Sequence, residues 1–333
     1  MKKRKTEHLN LAFQSRTDVS VLDNRFVYEP MFSGHPDQNI PTVELGGKKQ
    51  KIPVWVSSMT GGTDYAGHIN RNLARACGEF GMGMGLGSCR VLLEEDKYLS
   101  HFDLRKYLGN EVPFFANLGI SQIEKSIRNK SVDDIASMIE KLRADGLIIH
   151  INPIQEWLQP EGDNISVPPI ETIQTFLEET GIPVIVKEVG QGMGYESLKA
   201  LLKLPLVAVE FGAFGGTNFA RIELERSTPE RKKLYEPLAY IGNDAYRMMD
   251  YANTIRQSEE DLKCDHLIVS GGLKNYLDGY YFLQKSQFTT IYGHASAFLE
   301  HAREEYELLR DFVSSQIKGL QIAYAYLKLN KEY

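Results

Sequence analysis

The run His150-Ile151-Asn152-Pro153-Ile154-Gln155-Glu156 sets an imidazole, two carboxamides and a carboxylate directly after the apolar Gly146-Leu147-Ile148-Ile149. Together they offer a proton carrier, neutral donors and acceptors, and a hard oxygen ligand suited to Mg²⁺. Pro153 forces the chain to turn there. The plainer alternative is a polar strand exit whose side chains satisfy loop backbone. Arg4, Lys5 and Arg90 form a cationic set. Arginine forks take phosphate oxygens two at a time and lysine adds point charge. With His150, Asn152 and Gln155, and with Glu156 holding Mg²⁺, these cations could bind a diphosphate. Taken alone, Arg90 also reads as a surface ion pair, and Arg4-Lys5 as a frayed terminus.

A third set is rich in glycine: Gly215-Gly216-Thr217, Gly271-Gly272-Leu273-Lys274 and Gly293-His294-Ala295-Ser296. Backbone N–H groups in such segments can approach an anion closely, although Gly-Gly pairs on their own mostly make turns. A phosphate-bearing cofactor is the natural occupant. Thr60, Ser88, Asn117 and Lys187 add hydroxyl, amide and ammonium groups that could rim a flat heteroaromatic ring, which suits FMN.

Short apolar runs carry these groups at their carboxyl ends. They span 52–58, 82–86, 113–117, 146–150, 183–187, 206–210, 266–270 and 289–293, with helix-patterned stretches between them at 66–80, 132–144, 169–180 and 196–203. This alternation predicts a (β/α)₈ TIM barrel, in which strand carboxyl ends converge on one face and the loops after strands seven and eight usually hold a phosphate. The run 82–86 is the weakest strand, because its glycines lower strand propensity. Residues 1–51 read as an N-terminal extension over the active-site face, beginning with a short helix and continuing as loop. Residues 52–333 form the barrel of a single domain. Residues 211–265 are long for a βα connection and predict a mobile lid ahead of a helix near 243–254. Two helices, near 295–306 and 308–329, close the chain.

Composition agrees with an ordinary globular enzyme. The 333 residues are 42% hydrophobic and 25% charged, which fits neither disorder nor a membrane span. A net charge of −6 argues against a general nucleic-acid binder. Cys77, Cys89 and Cys264 are too scattered for a disulfide framework or zinc cluster, so a reducing, cytoplasmic setting is expected. No apolar stretch follows the basic Met1-Lys2-Lys3-Arg4-Lys5, so it is not read as a secretory signal.

Taken in order, Arg4-Lys5-Thr6-Glu7-His8, Ser58-Met59-Thr60-Gly61-Gly62, Gly87-Ser88-Cys89-Arg90, Asn117-Leu118-Gly119, His150 to Glu156 with Pro160-Glu161-Gly162-Asp163, Lys187-Glu188-Val189-Gly190, Gly215-Gly216-Thr217 with Ile222-Glu223, and Ser270-Gly271-Gly272 resemble type 2 isopentenyl diphosphate isomerase. The resemblance runs along nearly the whole chain, and the block from His150 to Asp163 is its most specific part. It implies an enzyme that interconverts isopentenyl and dimethylallyl diphosphate with Mg²⁺ and FMN, the flavin being kept reduced by NADPH, with no net redox change. It also implies a homo-oligomer, a tetramer or octamer. By position, Met59, Thr60, Gly61, Ser88, Asn117, Lys187 and Thr217 would contact the flavin, and Gly272, Lys274, Ala295 and Ser296 its phosphate. Arg4, Lys5, Arg90, His150, Asn152 and Gln155 would hold the substrate, Gln155 and His150 would serve catalysis, and Glu156 would bind the metal.

The chain departs from the family pattern at Cys89, where Gln is usual, and at Gly212-Ala213, where Ser-Gly is usual. Phe214 adds bulk, Lys274 stands where arginine is commoner, and His294 replaces a small or apolar residue. Cys89, Gly212 and Phe214 motivate a second reading, a flavin- or prenyl-diphosphate-binding homologue without catalysis. A third is an FMN-dependent 2-hydroxy acid oxidoreductase, against which His150 stands after the wrong strand.

Overall fold

The computed structural model describes residues 2–36, 40–57 and 63–332. Met59, Thr60 and Gly61, expected at the flavin, lie outside the described residues. The strands in chain order are β1 (Phe26–Tyr28), β2 (Val43–Leu45), β3 (Lys48–Gln50), β4 (Val54–Val56), β5 (Gly83–Gly85), β6 (Phe114–Gly119), β7 (Gly146–Ile151), β8 (Val184–Glu188), β9 (Ala208–Glu210), β10 (His266–Ser270), β11 (Thr289–His294) and β12 (Leu327–Leu329). Strands β4 to β11 pair in parallel and close into a barrel surrounded by helices. Each corresponds to one of the apolar runs.

Side chains alternate along a strand, so residues two apart share a face. Trp55, Phe115, Ile148, Ile185, Ala208, Ile268 and Ile291 point into the lumen and pack as one apolar cluster. Two positions further along the same strands, on the same face, stand Ser57, Asn117, His150, Lys187, Glu210, Ser270 and Gly293. An apolar layer therefore supports a polar one at the carboxyl ends. Strand β5 forms despite its glycines because the lumen needs them: a Cβ on Gly83 would lie 2.5 Å from the Trp55 ring.

The N-terminal extension does not lie wholly over the active-site face. The β2–β3 hairpin closes the opposite end, where Leu45 completes the apolar cluster and Lys48 pairs with Asp145 at 2.7 Å, just before β7. The helix α1 (Lys2–Leu11) forms as expected, and its residues from Arg4 onward are exposed. Strand β1 pairs with β12, so the last expected helix ends at Tyr326 and its tail becomes strand.

The helices Asp64–Phe80, Val132–Leu142, Pro169–Thr180 and Tyr195–Leu202 begin and end within two residues of expectation, whereas the helix expected near 243–254 runs on to Ser258 and the one expected at 295–306 stops at Ala302. The helix Asp64–Phe80, for example, starts where the Thr63 hydroxyl accepts the Ala66 N–H and stops at a left-handed Gly81. The segment after β9 is long, as expected, and has secondary structure of its own. It folds into helices Phe219–Arg226 and Pro229–Tyr235 and a 3₁₀ turn, ahead of a barrel helix at Ala245–Ser258. Ala220, Leu224 and Ala239 bury themselves against Leu158, and Arg231 donates to the carbonyls of Trp157 and Leu158. Among the described residues no helix is long and apolar enough to cross a membrane.

Candidate active site

The polar layer is held by short hydrogen bonds. Glu210 is fully buried, and its Oε1 accepts from Ser57 Oγ at 2.6 Å and Ser270 Oγ at 3.0 Å. Burial raises its carboxyl pKa, while the charge of Lys187 and the serine hydroxyls pull it down. Strand register places Gly119, His150, Lys187 and Glu210 side by side across β6 to β9. Lys187 is buried and donates to the carbonyl of Glu188 at 3.3 Å. Asn117 Nδ2 donates to the Leu86 carbonyl, which turns Asn117 Oδ1 toward His150 Nδ1, 2.7 Å away. His150 therefore carries its proton on Nδ1 and leaves Nε2 free to accept. Burial, and then the Lys187 charge, push its pKa down to about 3, so the ring is neutral.

Beyond β7, Pro153 occupies the first turn of helix Pro153–Leu158, where its missing N–H costs nothing. Helical spacing then brings Asn152, Gln155 and Glu156 onto one face. Asn152 Nδ2 donates to Gln155 Oε1 at 3.2 Å and to Glu156 Oε1 at 3.0 Å. Gln155 Nε2 donates to Glu223 Oε1 at 3.2 Å, and Arg226 reaches the other Glu223 oxygen. Glu156 Oε2 accepts the N–H of Asp163 at 2.9 Å. Asp163 in turn accepts from Gln122 at 2.9 Å and pairs with Arg90 at 3.1 Å. The turn that returns Asp163 needs Gly162, since a Cβ there would meet the Glu156 carbonyl oxygen at 1.8 Å. The Oδ1 of Asn152 is buried without a protein partner.

A cleft walled by Gly215, Gly216, Gly271 and Gly272 opens at Lys187, the register neighbour of His150. Lys187, Thr217, Lys274, Ala295 and Ser296 line it, and Glu210 contributes to its floor. Glu188 shapes one rim, its Oε2 accepting the N–H groups of Gly190, Gln191 and Gly192 at 2.6 to 2.8 Å. His294 also lines the cleft. Its Nε2 is buried without a partner, and burial pushes its pKa down to about 4 against the opposing charge of Asp278.

The structure thus gathers the expected residues into two adjoining groups. His150, Asn152, Gln155, Glu156 and Arg90 meet with Asn117 on one side; Lys187, Thr217, Gly272, Lys274, Ala295 and Ser296 meet at the cleft. Arg4 and Lys5 stay exposed on α1, and no described contact brings them to either group. Ser88 is exposed after β5, where its oxygen accepts the Arg90 N–H at 3.5 Å. Ser57, Asp163, Glu210 and Glu223 were not among the expected site residues. Glu210 is the last residue of its strand run, so applying the two-residue alternation to every run would have found it.

No family model matches the chain. The chain is 31% identical over 330 residues to an isopentenyl-diphosphate delta-isomerase of Pseudescherichia vulneris, covering 96% of this chain and 91% of the relative. It is 29% identical over 323 residues to the protein of that name from Rickettsia africae, with the same coverage. Among solved structures, a flavocytochrome b2 variant with sulfite bound superposes with a TM-score of 0.61 at 13% identity, over 96% of this chain and 81% of that one. A mandelate oxidase variant with an FMN adduct gives 0.55 at 13% identity, over 92% and 88%. At such identities the structural likeness speaks for the fold.

Proposed function

The chain belongs to the isopentenyl-diphosphate delta-isomerase family, and on that premise we propose that it interconverts isopentenyl and dimethylallyl diphosphate with FMN and Mg²⁺. The observation that carries the assignment of the site is the hydrogen-bonded string Asn152, Gln155, Glu223 and Glu156 after the strand of His150, whose register neighbour Lys187 lines the glycine-walled cleft.

The cleft fits a phosphate-bearing flavin in kind. Its glycine walls let backbone N–H groups come close, Lys274 adds charge, and the unpartnered His294 Nε2 marks polar capacity that no protein group satisfies. Gly272, Lys274, Ala295 and Ser296 would hold the phosphate, and Lys187, Thr217, Asn117 and Ser88, together with Met59, Thr60 and Gly61, would face the ring. When bound, reduced FMN supplies a proton-carrying ring beside the substrate alkene.

On the other side, Arg90, His150, Asn152 and Gln155 would hold the diphosphate, with Arg4 and Lys5 reaching it from α1. Among the described residues no group of three or more His, Cys, Asp or Glu could bind a metal alone. Mg²⁺ held jointly with a diphosphate needs only one or two carboxylates, and Glu156 supplies one. The reaction adds a proton at the terminal methylene and removes one from the carbon two bonds away, the released C–H electron pair becoming the new double bond. His150 presents an unprotonated Nε2 for proton handling, and the Gln155 amide is polarised by Glu223.

NADPH as reductant, a homo-oligomeric assembly and a cytoplasmic setting belong to the same reading; the three buried free thiols suit that setting. The test is anaerobic incubation of the protein with FMN, dithionite, Mg²⁺ and isopentenyl diphosphate, followed by NMR in D₂O. Dimethylallyl diphosphate carrying deuterium is expected. Full flavin binding with no product would leave the non-catalytic reading, and flavin reduction by a 2-hydroxy acid would replace both.

A further inference from the structure

Asp278 stands four residues after Lys274, close enough for its carboxylate to capture the lysine whose ammonium is assigned above to a cofactor phosphate. It does not do so. One carboxylate oxygen, Oδ2, accepts the backbone N–H of Lys274 itself at 2.7 Å and so fixes the loop 271–274. The other, Oδ1, is taken by Arg25 NH1 at 2.7 Å. Among the described residues no ion pair occupies the Lys274 ammonium, and the residue is exposed at the cleft edge.

Arg25 is built for this place rather than drifting into it. Its guanidinium also binds both oxygens of Asp23, at 2.8 and 2.7 Å, and donates to Tyr246 Oη at 2.7 Å. It lies over the rings of Phe26 and Tyr281, 5.1 and 5.6 Å from their centroids. Its carbonyl accepts the Asn330 N–H, so the seam between β1 and β12 anchors it. The Arg25 and Asp278 side chains are only 12% and 13% exposed, so solvent screening is weak compared with a surface pair.

We propose that Arg25 is a positioning residue for the phosphate loop: by occupying Asp278 it keeps that carboxylate from pairing with Lys274 and from repelling an incoming phosphate. The N-terminal extension thereby sets cofactor affinity from outside the cleft. Lys274 could bind a phosphate only if Asp278 is otherwise engaged, and Arg25 engages it.

This inference rests on the FMN reading, and the experiment separates the two. Dissociation constants for FMN and for riboflavin, which lacks the phosphate, are measured by flavin fluorescence quenching on the full chain, the Arg25→Gln and Asp278→Asn variants, and the double variant. Arg25→Gln should weaken FMN about tenfold and leave riboflavin within about twofold. Asp278→Asn keeps an amide oxygen for the Lys274 N–H, so adding it to Arg25→Gln should restore FMN to within about threefold of the parent. A double variant as weak as Arg25→Gln would mean that Arg25 touches the phosphate directly and would overturn the positioning role. So would an unchanged FMN affinity in Arg25→Gln, or an equal loss of riboflavin. A parent protein that binds riboflavin as tightly as FMN overturns the phosphate reading and the inference together. Should Arg25→Gln fail to fold by circular dichroism, Asp278→Asn alone decides: FMN at parent affinity or tighter supports the role, and a tenfold loss removes it.

Discussion

Gln155 and Glu223 meet side chain to side chain at 3.2 Å, although 68 residues separate them. The contact ties the helix after β7 to the helical insertion after β9, so the insertion supplies a buried carboxylate to Gln155.

For that reason Glu223→Gln should lower kcat by about a hundredfold, the scale of a positioned acid–base partner, and change KM little. Steady-state kinetics with isopentenyl diphosphate decide it. A parental kcat would strip Glu223 of any part in polarising Gln155.

Glu156→Gln should lose Mg²⁺-dependent turnover while FMN remains bound, because it removes a hard anionic ligand from the substrate side only. The amide oxygen can still accept the Asp163 N–H, so the local fold should persist. If the variant turns over at the parent rate across a Mg²⁺ titration, Glu156 is not the ligand.

Deleting residues 1–8 should raise KM without shifting the melting temperature of the substrate-free protein. The described side chains of α1 are exposed and bury little apolar surface. An unchanged KM would return Arg4 and Lys5 to the status of a frayed end.

Lys274→Ala should weaken FMN by about 1–3 kcal/mol, the range for a charge-assisted hydrogen bond, and leave riboflavin untouched. Lys274→Arg should tighten FMN where the pocket has room, since a fork replaces a point charge. Equal losses for FMN and riboflavin in the alanine variant would place the phosphate elsewhere.

Stability should fall in acid partly through His294. Its folded pKa is about 4, below the ordinary value near 6.5. Between those values the unfolded chain takes up a proton that the folded one refuses, so the contribution is complete above pH 6.5 and is lost as pH falls toward 4. His294→Phe should make the melting temperature less sensitive to pH across that window, by an amount corresponding to at most about 3 kcal/mol. A variant with the parent's slope from pH 7 to 4.5 would show that His294 does not titrate in this way.

Much of the fold was legible because barrel strands, buried on both faces, read as short apolar runs, and the polar groups stand where those runs end. Ile148 and Ile149 before His150 are the clearest case. The run 82–86 forms a strand as expected, but the reason for its glycines was not legible, since local propensity knows nothing of the Trp55 ring that fills the space a side chain would need at Gly83. The packing of the insertion was hidden for a similar reason. Its charged helices look solvated until Leu158, Ala220, Leu224 and Ala239 are seen to share one apolar cluster.

The sequence by itself determined the strand runs, the block from His150 to Asp163 and the family, because each is written in neighbouring residues. Only the tertiary structure decided which distant residues touch. Register across β7 to β9 sets Lys187 between His150 and Glu210, closure of the barrel brings Ser57, just past the first barrel strand, to Glu210 at the end of the sixth, and the β1–β12 seam carries Arg25 to Asp278. Side-chain alternation is a local property, but register and closure depend on the whole sheet, and hydrogen bonds between strands are made in that frame alone.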